Sequence, residues 1–137
     1  ALTPGVLETH NWALAGKYRK ISLRETRHSK YMCDDANLLV VSFGTCARIC
    51  HDAILMARAA GIKAGLFRPV TLWPFPYEEL AKLAGKAKKI FVVEMNMGQM
   101  IDDVKIAVKN NIRIFFYGRP GGGVPSSEEI FREIKKI

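Results

Sequence analysis

The sequence predicts an α/β fold in which helices cover a parallel-type sheet. From residue 38 onward, short β-branched runs alternate with segments of helical periodicity, and this alternation is typical of strands joined by helical crossovers. The first run, residues 38–43, is almost continuously apolar, as expected of a strand that is covered on both faces. A length of 137 residues fits one such domain preceded by an extension.

The predicted elements follow one another closely from residue 38 to the end of the chain. The first strand ends at Gly44, and a helix is predicted over residues 46–60 with Gly61 placed to cap its C-terminus. The final helix begins with a capping box formed by Ser126 and Glu129. Between them, the same patterns predict strands over residues 64–68, 90–93 and 112–117, and helices over residues 77–84 and 100–108.

A loop with three prolines, residues 68–76, separates the strand predicted over residues 64–68 from the helix predicted over residues 77–84. Its sequence, Arg-Pro-Val-Thr-Leu-Trp-Pro-Phe-Pro, cannot pair as a central strand because proline has no backbone N–H to donate. The aromatic side chains of Trp73 and Phe75 are expected to be shielded from water. The loop is therefore predicted to pack either on this domain or on a neighbour.

The first 35 residues lack a comparable rhythm and are interpreted as a basic extension or linker from a missing upstream domain, with the α/β domain over residues 36–137. Between residues 17 and 30, six lysines and arginines against one glutamate give a charge of +5 within a net charge of +8. This segment could be a linker, a short helix, or an edge strand around residues 21–23. The start at Ala1, without an initiator Met or a leader, suggests a cut inside a longer chain.

The composition disfavours several functional classes. Most of the positive charge lies in the extension, and no aromatic and glycine pattern of an RNA-binding sheet accompanies the rest, so nucleic-acid binding is not expected. An acidic partner surface accounts equally well for a local basic segment. No stretch approaches the roughly 20 apolar residues of a membrane span. We expect a cytoplasmic protein with no membrane partner.

Three cysteines, Cys33, Cys46 and Cys50, form no even disulfide framework and are interpreted as reduced thiols. The spacing of Cys46 and Cys50 places both on one face of the first predicted helix. Zinc or an iron–sulfur cluster needs further ligands, and the sequence has no second cysteine pair. Both thiols are therefore expected to be buried and to bind no metal.

Glycine-bearing turns after strands are where α/β folds place ligands, and the sequence has three. The turn at Gly44 lacks both a dinucleotide fingerprint and the lysine of a P-loop, so a structural turn is favoured. The turn over residues 118–123 resembles a phosphate-holding loop, but it leads to Pro125 rather than directly into a helix, which favours flexibility at the domain edge.

The third turn, residues 94–100, is the most distinctive, with the sequence Glu-Met-Asn-Met-Gly-Gln-Met. One carboxylate and two amides at a strand end could orient a ligand, a backbone loop or a partner subunit. A single glutamate with no neighbouring His, Asp or Lys supplies neither a nucleophile with its base nor an acid/base pair. No catalytic, cofactor-binding or metal-binding residue is assigned to the chain.

Four sequence segments in this order resemble one enzyme family. They are Leu-Val-Val-Ser-Phe-Gly at residues 39–44, Gly-Ile-Lys-Ala-Gly-Leu at 61–66, Trp-Pro-Phe-Pro at 73–76, and the 94–100 turn. Together they are similar to the alpha subunit of 2-oxoacid:ferredoxin oxidoreductases over residues 35–137. The resemblance implies a transketolase C-terminal-like domain of three layers, α/β/α, with a five-stranded, mostly parallel sheet. Because the pattern yields four strands, the fifth should come from the extension.

The resemblance also implies a larger enzyme. Such an enzyme decarboxylates a 2-oxoacid on thiamine diphosphate and magnesium, passes electrons through iron–sulfur clusters to ferredoxin, and forms acyl-coenzyme A. The family's cofactor-binding residues lie in other domains or subunits, so this chain alone is expected to hold no cofactor and to be inactive. The implied partners are other domains of the alpha subunit, the beta (thiamine-binding) subunit and, for the whole complex, ferredoxin.

Two loops are interpreted as an interface of that complex. Parallel strands point their C-termini the same way, so the proline loop and the 94–100 turn should emerge at one end of the sheet. The candidate interface residues are Trp73, Phe75, Glu94, Asn96 and Gln99, which would supply apolar area and directional hydrogen bonds. Two alternatives stay open. One is a free-standing small-molecule or anion-binding module that uses the extension and the Gly121 turn, and the other is the equivalent domain of another thiamine enzyme, such as a transketolase or a 2-oxoacid dehydrogenase.

Overall fold

Helices and strands alternate along most of the chain in the computed structural model, which describes residues 3–109 and 112–137. Residues 1 and 2 of the predicted extension lie outside that range. In chain order the elements are α1 (Val6–Glu25), β1 (His28–Tyr31), β2 (Leu38–Val41), α2 (Gly44–Ala59), β3 (Ala64–Pro69), α3 (Tyr77–Ala84), β4 (Lys89–Glu94), α4 (Met100–Val108), β5 (Arg113–Gly118) and α5 (Ser127–Lys136). From β2 onward, every predicted strand and helix is present, with bounds that differ by at most two residues. The predicted capping box of Ser126 and Glu129 is formed at the start of α5.

The strands form one five-stranded sheet in the order β1-β3-β2-β4-β5. β2 lies between β3 and β4 and is parallel to both, β5 is parallel to β4, and β1 is antiparallel to β3. The prediction of a mostly parallel sheet with a fifth strand from the extension is confirmed. That strand lies at residues 28–31, whereas residues 21–23, where an edge strand was considered, belong to helix α1. The predicted boundary at residue 35 therefore runs between β1 and the rest of the sheet to which β1 belongs.

Helices cover both faces of the sheet and give the three layers. Successive side chains of a strand point to opposite faces, and β2 divides its residues accordingly: Leu38 and Val40 pack with α2 and α5, while Leu39 and Val41 pack with α3 and α4. All four side chains are buried. This double cover explains the almost continuous apolar sequence of β2. Within the described residues, no helix is long and apolar enough to cross a membrane.

The connection from β1 to β2 crosses very close to β3 and is held there by an arginine of α2. A Cβ atom at Gly65 would lie 2.5 Å from the carbonyl oxygen of Met32 and 2.9 Å from the Cα atom of Cys33. The guanidinium of Arg58 donates to the carbonyl oxygen of Met32 at 2.7 Å and to the Asp35 carboxylate at 2.7 and 3.0 Å. Its hydrogen bonds lower the pKa of Asp35. The edge strand and helix α2 are thus joined through this connection.

We predict that Gly65→Ala lowers the free energy of unfolding by about 1–3 kcal/mol, because the added methyl group would collide with backbone atoms that cannot rotate away. The control is Gly16→Ala, in the middle of α1, where a Cβ atom meets nothing within 4 Å. That change should be neutral or raise stability by up to about 1 kcal/mol, because alanine is the better helix former. Urea unfolding of the 137-residue chain measures both, and a Gly65→Ala variant as stable as the parent would contradict the prediction.

Candidate functional site

The proline loop and the 94–100 turn emerge at the same end and the same face of the sheet. β3 and β4 both run parallel to β2, so the two loops that follow them leave from the same end of the sheet. The hydroxyl of Tyr77, at the start of α3, donates to the carboxylate of Asp103 on α4. This hydrogen bond raises the pKa of Tyr77 to about 12. The expectation that both loops share one end of the sheet is confirmed.

The proline loop is anchored on both sides of an outward-facing tryptophan. Pro74, Phe75 and Pro76 are buried, and the hydroxyl of Thr71 donates to the carbonyl oxygen of Pro74 at 2.8 Å. Trp73 is 61% exposed and meets Tyr18 of α1 edge to face, with ring centroids 5.6 Å apart. A bulky aromatic ring is therefore held in solvent by a loop that is itself packed.

Phe75 occupies the opposite environment. Its side chain is only 5% exposed and belongs to the buried cluster between the sheet and helices α3 and α4. Its ring lies 4.9 Å from that of Tyr77. Phe75 therefore fills the core of this chain, and its side chain offers almost no surface to a partner.

Glu94 is fully buried at the end of β4 and caps helix α4 from within the chain. Its Oε1 atom accepts from the backbone N–H of Met100 at 2.9 Å, and its Oε2 atom accepts from that of Ile101 at 3.0 Å. Oε1 also accepts from the side-chain amide of Asn96 at 3.1 Å. A carboxylate at this position satisfies backbone donors that the first turn of a helix leaves unpaired, and it lies at the favourable end of the helix dipole.

The amides of the 94–100 turn have different roles. The Oδ1 atom of Asn96 accepts from the backbone N–H of Gly98 at 2.7 Å, so both ends of this side chain bind within the turn. Gln99 is exposed, and Met97, which sequence reasoning did not single out, is 85% exposed. No sequence pattern indicates that Met97 is exposed, because a turn has no regular periodicity that would show which side chains face outward. The turn thus presents Met97 and Gln99 to solvent.

A surface cavity of about 560 Å³ lies beside Trp73, between the last turn of α1 and the proline loop. Its lining includes the exposed Leu23, together with Trp73 and Tyr77. Sequence reasoning also missed this contribution of α1. Helix α1 buries none of its residues, so no apolar stripe indicates its orientation.

The glycine-rich turn after β5 is closed by an internal ion pair. Arg119 donates to the carboxylate of Glu129 at 2.8 and 3.0 Å and to the carbonyl oxygen of Val124 at 3.1 Å. The only arginine of this turn is therefore engaged within the domain, which disfavours a phosphate-holding loop here.

The cysteines do not fit an iron–sulfur cluster. Cys46 and Cys50 are buried, as predicted. Cys33 is buried elsewhere, in the β1–β2 connection, where its thiol donates to the carbonyl oxygen of Leu66 on β3 at 3.2 Å. The hydrogen bond with Cys50 lowers the pKa of Cys46 to about 7, while the same contact and burial raise the pKa of Cys50 well above its usual range. A cluster needs four ligands, usually thiolates, and no group of three or more His, Cys, Asp or Glu residues suited to a metal occurs within residues 3–109 and 112–137.

We predict that Glu94→Gln lowers the free energy of unfolding by about 2–3 kcal/mol. An amide would turn one acceptor oxygen into a donor facing backbone N–H groups, and it would remove a negative charge from the helix N-terminus. Glu128→Gln is the matched control, because Glu128 is exposed in the first turn of α5, and it should cost no more than about 0.5 kcal/mol. Equal effects of the two substitutions in urea unfolding would refute the capping role.

Comparisons with known proteins agree on one family. A family model described as pyruvate:ferredoxin oxidoreductase core domain II matches residues 36–130. The chain is 39% identical over 132 residues to ketoisovalerate oxidoreductase subunit VorB of Methanothermobacter marburgensis, covering 96% of this chain and 37% of the relative. It is 36% identical over 101 residues to 2-oxoglutarate synthase subunit KorA of the same organism, covering 74% of this chain and 27% of the relative. The chain thus spans about a third of the length of these relatives.

Two solved structures share the fold. A 2-oxoglutarate:ferredoxin oxidoreductase from Magnetococcus marinus aligns over 99% of this chain and 24% of its own, with a TM-score of 0.85 at 20% identity. A split-gene transketolase, an inactive beta4 tetramer, aligns over 80% of this chain and 40% of its own, with a TM-score of 0.67 at 16% identity. The predicted transketolase C-terminal-like fold is confirmed. With its family match over residues 36–130, the chain belongs to the pyruvate:ferredoxin oxidoreductase core domain II family.

Proposed function

We propose that this chain is the subunit-contact domain of a thiamine diphosphate-dependent enzyme that converts a 2-oxoacid into acyl-coenzyme A and reduces ferredoxin in the cytoplasm. The related chains are described as subunits of ketoisovalerate oxidoreductase and 2-oxoglutarate synthase, which supports membership of a multi-subunit oxidoreductase. The proposed partners are the remaining domains of the alpha subunit and the beta, thiamine-binding subunit.

In this proposal, the cofactors that carry out the reaction are bound by other parts of the enzyme. The buried cysteine pair lacks the further ligands that a cluster requires, and Glu94 is fully engaged as a helix cap. We therefore assign thiamine diphosphate, magnesium, the iron–sulfur clusters and the reacting coenzyme A to other parts of the complex. The contribution of this domain is to position those parts by contact.

The exposed Trp73 carries the proposal. Tryptophan is enriched among the residues that dominate binding energy at protein interfaces. The flanking residues Pro74 to Pro76 are buried, so the loop loses little conformational freedom when a partner covers the ring. The neighbouring Met97 and Gln99, at the same end of the sheet, add flexible apolar area and a hydrogen-bonding amide. We propose Trp73, Gln99 and Met97 as the partner-facing side chains, supported from below by Phe75, Glu94 and Asn96.

The charge of α1 favours an acidic partner surface next to this loop. Lys17, Arg19, Lys20 and Arg24 are exposed, and none of them forms an ion pair within the described part of the chain. Helix α1 also leaves Trp12 and Leu23 exposed. A partner that presents carboxylates around an apolar patch would complement both features.

We predict that Trp73→Ala weakens association with the partner subunits by about 2 kcal/mol or more, roughly a 30-fold rise in Kd. Its effect on stability of the 137-residue chain should not exceed about 1.5 kcal/mol, since only an edge-to-face contact with Tyr18 is lost. Ile106→Ala, which removes another exposed apolar side chain from α4, should change neither quantity by more than about 0.5 kcal/mol.

The two quantities are measured in parallel. To measure association, the oxidoreductase subunit that contains this chain is co-purified with its partner subunits and titrated with them. To measure stability, the 137-residue chain is unfolded by heat. A large loss of stability with unchanged association would refute the interface role of Trp73.

We also expect the purified 137-residue chain to oxidise no 2-oxoacid, because we assign the thiamine and cluster chemistry to other parts of the complex and find no group of metal ligands within residues 3–109 and 112–137. The assay mixes the chain with thiamine diphosphate, magnesium, coenzyme A and a redox dye, and tests pyruvate, 2-oxoglutarate and 2-oxoisovalerate in turn. Dye reduction above the protein-free rate would overturn the assignment of the chemistry to other domains.

A further inference from the structure

A second cavity, separate from the proline loop, lies where the first turns of α2 meet the edge strands β1 and β3. It is an open groove of about 640 Å³, which is within the range of small-molecule sites. Its lining comes from β1, from the first two turns of α2 and from β3, and includes Arg48 and Arg68.

The polar side chains of this groove are suited to an anion. Arg48 and Arg68 are exposed, and neither forms an ion pair or a side-chain hydrogen bond with the described residues. Ser29, Tyr31 and Thr45 add hydroxyl groups. No carboxylate lines the groove. Among the described residues, the acid closest in sequence to Arg48 is Asp52. Its side chain is 69% exposed, and its Oδ1 atom lies 3.5 Å from the Nδ1 atom of His51.

Strand pairing brings these groups together. In the antiparallel ladder of β1 and β3, Ser29 lies opposite Arg68 and Tyr31 lies opposite Leu66, so all four side chains point to the face covered by α2. Arg48, one turn into α2, faces them from the helix. No motif of the sequence predicts this arrangement, because its parts come from three separate segments.

One wall of the groove is apolar and pre-formed. The ring of Tyr31 packs on that of His51, with centroids 4.2 Å apart. Leu66 and Ala47 are buried beside them. The Arg58 bonds to Met32 and Asp35 hold the end of β1 against α2. A ligand would therefore meet two free guanidinium groups beside a flat apolar surface whose backbone is held in place.

We propose that this groove binds a phosphorylated small molecule of nucleotide size. The planar guanidinium groups of Arg48 and Arg68 match the paired oxygens of a phosphate or diphosphate, which they bind through two parallel hydrogen bonds each. The hydroxyl groups supply further donors for the remaining oxygens. The packed rings of Tyr31 and His51 accommodate the flat apolar part of the ligand, which a bare inorganic anion lacks.

The test is an amide NMR titration of the 15N-labelled 137-residue chain with pyrophosphate and with ADP, in about 0.15 M NaCl to screen weak surface charge. We expect saturable shifts at the Thr45, Arg48 and Arg68 amides, with Kd below about 1 mM and ADP bound at least as tightly as pyrophosphate. The double substitution Arg48→Gln and Arg68→Gln should raise both Kd values at least ten-fold. Both side chains are exposed, so the amide spectrum of this variant should remain that of a folded protein.

The matched control is the double substitution Arg19→Gln and Arg132→Gln, which removes the same charge from exposed arginines of α1 and α5 that do not line the groove. It should change neither Kd by more than about two-fold. Equal weakening by the two double variants, or shifts centred on α1, would overturn the proposal in favour of nonspecific attraction. ADP binding weaker than pyrophosphate would overturn the assignment to a nucleotide-sized ligand. Tighter binding of a tetra-glutamate peptide than of either phosphate compound would assign the groove to an acidic protein segment instead.

Discussion

The candidate site of this domain depends on one interaction, the capping of helix α4 by the buried carboxylate of Glu94. This carboxylate lies at the end of β4 and accepts from the first two backbone N–H groups of α4. The hydroxyl of Ser42, just after β2, donates to the carbonyl oxygen of Val93 at 2.8 Å, which ties the neighbouring strand to the same point. A buried carboxylate is tolerated only with several donors around it. Residues 95–99 must therefore keep the backbone conformation that brings these donors to Glu94. In that conformation the side chains of Met97 and Gln99 face solvent.

The sequence predicted the fold where several local signals agreed. Apolar periodicity, the glycine after α2 and the capping box of α5 all pointed to the same elements, and each is present. Helix α1 left no such signal because it buries none of its side chains, so its apolar residues follow no stripe. An edge strand around residues 21–23 was one of three interpretations of the extension, and these residues belong to α1. The actual strand, His-Ser-Lys-Tyr, is more polar because it pairs only on one side, with β3.

The candidate site was predictable in its location but not in the direction of its side chains. The segment Trp-Pro-Phe-Pro contains two aromatic rings two residues apart, yet Trp73 points into solvent and Phe75 into the core. Glutamate and asparagine at a strand end suit either a partner or the chain's own backbone, and only the geometry of the following helix distinguishes them. The antiparallel pairing of β1 with β3 places Arg68 opposite Ser29. This pairing depends on strand register between distant segments, which no local pattern of the sequence indicates.

Strand β1 separates the two surfaces because successive residues face opposite sides of the sheet. Its Lys30 points to the α3 side, where its ammonium group binds the Glu79 carboxylate at 2.9 Å. His28 points the same way and stacks on Phe67 at 5.4 Å; it lines the cavity beside Trp73. Ser29 and Tyr31 point to the α2 side and line the basic groove. One four-residue strand thus contributes to both cavities through alternate side chains. Because the sheet lies between them and they share no lining residue, the two surfaces can be altered by separate substitutions.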